Sequence, residues 1–85
     1  MTEPDIEPGT CVLQARWIKM IELPRLAKTR RVLVETADGQ SLGTISWYPP
    51  WRKYTFCPPG QTVFEQDCLR AIADFLDHMM QERKR

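Results

Sequence analysis

The chain has 85 residues, 42% of them hydrophobic and 27% charged, with a formal net charge of +1. That length holds a single domain and hides only about 60–65% of the surface the unfolded chain exposes, so the core is thin. A homodimer would be an easy way to bury more apolar area. The composition is that of a globular domain rather than a disordered chain, and so small a net charge argues against a strongly basic nucleic-acid-binding domain.

Charge is unevenly spread. Residues 1–13 carry Glu3, Asp5 and Glu7 and no base, whereas residues 14–56 carry eight bases against three acids. The basic middle hints mildly at an anionic partner. Cys11, Cys57 and Cys68 are odd in number and lack CxxC spacing, which fits neither a disulfide framework nor a zinc site. The acidic, proline-bearing start does not read as a signal peptide. No apolar run approaches the ~20 residues needed to span a bilayer, so no membrane partner is expected. The expected location is the cytoplasm, with thiols reduced.

Residues 1–10 read as a flexible N-terminal lead-in, and residues 11–85 as a single α+β domain. In residues 11–23 helical and strand spacings compete. The β-branched and aromatic content and the break at Pro24 favour one extended strand over a helix.

From Arg30 the pattern sharpens. RRVLVET, Ala37-Asp38-Gly39 and QSLGTISWY read as a β-hairpin, because Asp-Gly supplies the positive φ angles of a tight turn. With Asp38-Gly39 as the loop, Glu35 lies opposite Leu42, Val34 opposite Gly43, Val32 opposite Ile45 and Arg30 opposite Trp47. A second reversal at Pro49-Pro50-Trp51-Arg52 sets Trp47 opposite Tyr54 and Ile45 opposite Phe56. Both registers place Val32, Val34, Ile45, Trp47, Tyr54 and Phe56 on one face. Arg31, Leu33, Glu35, Leu42, Thr44, Ser46, Lys53 and Thr55 fall on the other, mostly polar, face.

Pro58-Pro59-Gly60 ends the third of these strands. The segment from near Glu65 to about Gln81 predicts an amphipathic helix, with Cys68, Leu69, Ile72, Phe75, Leu76, Met79 and Met80 on one stripe. Thr62 and Glu65 have capping-box spacing, and Arg83-Lys84-Arg85 fall just past the expected end. The helix needs an apolar surface, and the dry face of the sheet supplies it. The expected fold is therefore α+β: an antiparallel three- to four-stranded β-meander packed against one C-terminal amphipathic α-helix.

Residues 43–75, GTISWYPPWRKYTFCPPGQTVFEQDCLRAIADF, carry a more specific signature. With Leu42 they fit the pattern LGxIxWYxxWRxYxFxPxxxTVFxxxCLxxIxxF. In this the chain resembles a family of short uncharacterised tailed-phage and prophage proteins. The resemblance covers roughly residues 28–76. Two positions depart from the pattern: Pro49-Pro50 stand where the loop has a glycine, and Thr55 where it has a cysteine. The resemblance implies a phage or prophage origin and brings no activity with it.

No catalytic constellation emerges. His78 is the single histidine, and Cys68 lies ten residues from it on the same helix, about 15 Å along the axis. That is too far for a nucleophile–base pair. Metal-ligand spacing is absent, the glycines are isolated rather than forming a phosphate loop, and Asp74 with Asp77 reads as a solvated helix face. The expectation is no enzyme, no cofactor and no metal.

WYPPWRKY is the candidate. Trp47, Tyr54 and Phe56 read as core in the register above, against the alternative of a stacking platform for single-stranded nucleic acid. Tyr48, Trp51, Arg52 and Lys53, on the hairpin tip, are the expected partner-binding residues, since loop-borne Trp, Tyr and Arg commonly anchor protein interfaces. The expected function is that of a non-enzymatic accessory protein of phage or prophage origin. It would bind a protein partner, as an inhibitor of host defence or an adaptor to host machinery. The alternative is a nucleic-acid-binding module using the basic, aromatic hairpin.

Overall fold

The structure, a computed structural model, describes residues 5–26, 28–60 and 62–83. Among these residues five strands precede one helix: β1 (Cys11–Gln14), β2 (Ile18–Leu26), β3 (Thr29–Thr36), β4 (Ser41–Tyr48), β5 (Lys53–Cys57) and α1 (Gln66–Arg83). Strands adjacent in sequence are adjacent in space, in the order β1-β2-β3-β4-β5, and every pair is antiparallel. The fold is α+β, a meander under a C-terminal helix, with five strands where three or four were expected.

The extra strand comes from segment 11–23, which forms two strands rather than one. Its reversal at Ala15-Arg16-Trp17-Ile18 is closed by the Ala15 N–H donating to the Ile18 carbonyl at 2.8 Å. It uses no glycine, proline or asparagine, so the usual turn signals are missing. Pro24 does not end β2. It sits where the β2–β3 register slips between Leu23 and Leu26, and a bulge needs no donor from it. Residues 1–4 of the expected lead-in lie outside the described residues. Further along it, the Gly9 N–H donates to the Glu22 carbonyl (2.7 Å) and the Glu22 N–H to the Thr10 carbonyl (2.8 Å).

The β4–β5 register is the expected one, with Ile45 opposite Phe56 and Trp47 opposite Tyr54. Val32 opposite Ile45 and Val34 opposite Gly43 also hold in the β3–β4 pair. At the tip, however, Glu35 pairs with Ser41 instead of Leu42, through a bulge after Val34. The loop is longer than two residues: the Thr36 N–H donates to the Gln40 carbonyl at 2.7 Å, and Gly39 takes φ +100°. One added residue reverses the face of its neighbour. Leu42 is therefore buried in the core, not on the polar face.

Ile18, Met20, Val32, Val34, Leu42, Ile45 and Tyr54 form the sheet's half of the core, and Ile72, Phe75 and Met79 come down from α1. Trp47, Phe56, Phe64, Cys68, Leu76 and Met80 pack around them. Leu69, expected on the buried stripe, is half exposed. It lies roughly 90° round the helix from the line through Ile72, Phe75 and Met79. The N-cap is Glu65 alone: the Cys68 N–H donates to its carboxylate at 2.6 Å and the Leu69 N–H to its carbonyl at 3.1 Å. Thr62 takes no part in the cap, and its hydroxyl has no partner among the described residues. The helix continues through Arg83, two residues past the expected end; Lys84 and Arg85 lie outside the described residues.

Candidate functional site

Consecutive turns of a meander alternate between the two ends of the sheet. The β4–β5 tip therefore stands at the end where α1 finishes. Pro49 and Pro50, with φ pre-set near −65° and no N–H to satisfy, suit a turn whose carbonyls face inward. The Trp51 N–H donates to the Tyr48 carbonyl (3.2 Å), and the Arg52 N–H lies within reach of the Tyr48 and Pro49 carbonyls (3.0 and 3.1 Å). Arg52 closes the loop at φ +55°, a left-handed conformation that costs a residue with a Cβ about 1–2 kcal/mol.

All four expected partner-binding residues, Tyr48, Trp51, Arg52 and Lys53, are exposed in this one loop and its flanks. Trp51 is 69% exposed and meets Tyr48 edge to face, with ring centroids 5.0 Å apart. It does not fold back onto the sheet. Among the described residues, no carboxylate pairs with Arg52 or Lys53.

The other aromatics of the segment face inward. Trp47 meets Tyr54 at 5.3 Å and lies under the Arg83 guanidinium at 4.0 Å, and Phe56 meets Phe64 at 5.4 Å. A platform for nucleic acid would thus have Tyr48 and Trp51 and not the remaining three rings.

Behind the tip lies a charged cluster that inspection of the sequence did not find. Arg30 and Glu22 are both buried. The Arg30 guanidinium donates to both Glu22 oxygens, from Nε (3.2 Å) and Nη2 (2.8 Å), and from Nη1 to Glu82 (2.7 Å). Its backbone N–H donates to the Tyr54 hydroxyl at 3.1 Å. Burial opposes the Arg30 charge, yet the Glu22 hydrogen bonds and the pull of Glu22 and Glu82 outweigh it, holding the guanidinium above its ordinary range. The exposed His78 reaches Glu82 at 3.1 Å. The cluster ties β2 and β3 to the last turn of α1, which fixes the frame behind the tip. A signal was present in the sequence: Glu22 and Arg30 keep the alternation of Ile18–Met20 and Val32–Val34, so opposite charges point to the dry face.

Cys11 and Cys57 are exposed, Cys68 is half-buried, and all three are free thiols. Burial pushes the Cys68 thiol up, and its hydrogen bond with the Glu65 carboxylate adds to the shift; a thiol moved that way is a poorer nucleophile near neutral pH. Among the described residues no three His, Cys, Asp or Glu side chains gather as a metal site, and no helix is long and apolar enough to cross a membrane.

Comparison with known proteins finds an uncharacterised 9.3 kDa protein of Acholeplasma phage L2, 38% identical over 58 residues, a match covering 67% of this chain and 74% of the relative. The chain belongs to this family of short phage proteins. A phage origin agrees with the resemblance carried by residues 42–75. No protein-family model matches the sequence, and no solved structure matches it significantly. The relative's name states no activity, so the candidate site rests on what this chain's own side chains expose. That is the tip, held by the strands behind it.

Proposed function

We propose that this phage family member is a non-enzymatic accessory protein that works in the host cytoplasm by binding a protein partner through the β4–β5 tip. One observation carries the reading. Trp51 is 69% exposed in a tight loop closed by Arg52 at φ +55°, and strain of this kind gathers where a loop's shape serves recognition. Trp, with its large flat ring, and Arg, with its five-donor guanidinium, are among the side chains most enriched where protein interfaces are anchored. The Pro-Pro step stiffens the loop, so little freedom is lost on docking. Phage membership supports an accessory role, and interference with host defence or redirection of host machinery is the analogous use.

The test is capture from host lysate by the tagged protein, beside Trp51→Ala and Arg52→Ala variants whose melts match the parent. A partner held by the parent and lost by both variants is expected. The same proteins captured by all three would overturn the reading. Nucleic acid in place of protein, with capture weakening steeply as salt rises, would favour the alternative.

A further inference from the structure

The end of the molecule opposite the tip carries a groove of about 580 Å³ between the β1–β2 turn, the β3–β4 turn and the start of α1. Trp17, Ile18, Leu42 and Val63 line it, and the charged residues of its lining are Asp38 and Glu65. Val63 is 92% exposed and Trp17 54%. The Asp38 carboxylate is held below its usual range, first by the Thr36 hydroxyl, and Glu65 by the hydrogen bonds from Cys68. Both are therefore ionised at neutral pH. Arg16 lies against the Trp17 ring at 4.8 Å, outside the lining.

An apolar floor with two carboxylates complements an aromatic ring flanked by cations. The described chain exposes such a pairing at the β4–β5 tip, as Trp51 with Arg52 and Lys53. That tip cannot reach its own groove. Strand β4 starts at the groove end with Ser41 and finishes at the tip end with Tyr48, about 23 Å away at ordinary strand rise. We propose that the groove receives the β4–β5 tip of a second copy, so that the protein associates head to tail. Trp51 enters between Trp17 and Val63, while Arg52 and Lys53 face Asp38 and Glu65.

A single contact of this kind leaves a free tip on one copy and a free groove on the other. Repeated, it builds rings or open chains. One loop in one groove buries less than about 1,200 Å², so association is weak and grows with concentration. Apolar burial carries it together with attraction between exposed charges, which salt screens. The inference rests on the tip being a binding element, the reading proposed above. It would also make the tip's outside partner and the groove of a second copy competitors.

The experiment is sedimentation velocity over a concentration series at low and high salt, on the parent, Trp51→Ala and Val63→Lys. Both substitutions fall at exposed side chains, and a thermal melt confirms that each variant folds. The parent should form species beyond the dimer that shrink with salt, and each variant alone should stay monomeric. An equal mixture should form a one-to-one dimer and nothing larger, since it has one working tip and one working groove. A parent monomeric throughout, a Trp51→Ala variant that associates like the parent, or a mixture that stays monomeric would each overturn the proposal. Val63→Lys keeps the tip intact, so a host partner captured by a strictly monomeric parent and by Val63→Lys defeats self-association alone. Loss of the partner-binding reading instead shows as capture unchanged in Trp51→Ala.

Discussion

Arg30 and Glu22, on neighbouring strands, share a two-point contact of 2.8 and 3.2 Å in the interior, and Glu82 from the helix completes it at 2.7 Å. The guanidinium also lies 5.9 Å from the Phe75 ring centre. Removing one partner leaves a buried charge unmatched. Arg30→Ala, which strips Glu22 of its guanidinium, should destabilise the domain by about 3–5 kcal/mol, and Glu22→Ala by less, because Glu82 still accepts from Arg30. The paired replacement Glu22→Leu with Arg30→Met should cost markedly less than the sum, because both desolvation penalties vanish together. Urea unfolding of the three variants measures this. Additive losses would mean that the two residues act separately.

Gly43 makes the bulge possible. It takes φ +153°, and a Cβ there would lie 2.7 Å from the Phe56 ring and 2.8 Å from the Cys57 carbonyl oxygen. The ring could turn, but the carbonyl belongs to the β5 backbone and cannot yield cheaply. Gly43→Ala should therefore destabilise by about 1–3 kcal/mol, read as a lower denaturant midpoint. An unchanged midpoint would place β5 farther from β4 than the structure has it.

The helix start carries a pH dependence with a definite sign. Glu65 is held below its usual range by hydrogen bonds from the Cys68 thiol and backbone N–H. A carboxylate depressed in the folded state stabilises fully above its unfolded value, about 4.3. It loses that contribution as pH falls through the folded value. The melting temperature of the parent should exceed that of Glu65→Ala at neutral pH, and the gap should close as pH drops below about 4. A gap that persisted in strong acid would assign the cap to something other than the carboxylate.

How much of this was legible follows from which signals the residues carry. The β4–β5 pairing is readable because Ile45, Trp47, Tyr54 and Phe56 alternate cleanly on either side of a proline turn. Leu42 misleads because the choice between a two-residue loop and a longer, bulged one turns on Thr36 and Gln40. Neither is a strong turn former, yet that choice decides the face. The β1–β2 reversal is silent for a related reason: Arg16 and Trp17 are not turn residues. Glu22, Arg30 and Glu82 look like surface charge when counted, and only their phase with the apolar positions marks them as interior. At the tip, sequence could name Tyr48, Trp51 and Arg52 but not decide whether Trp51 lies back on the sheet. That depends on where the loop's hydrogen bonds point, and they converge on the Tyr48 and Pro49 carbonyls.

The central claim is that the tip is built for binding and not for stability, and stability with partner affinity measured on the same tip variants tests it most directly. Trp51→Ala should melt within a degree or two of the parent while weakening the captured partner by about 2 kcal/mol or more. Arg52→Gly, which relieves the left-handed strain, should raise stability by about 1 kcal/mol and still lose affinity with the guanidinium. A Trp51→Ala protein with a clearly lowered melt and undiminished partner binding would contradict the account, because it would make Trp51 part of the scaffold and place the interface elsewhere.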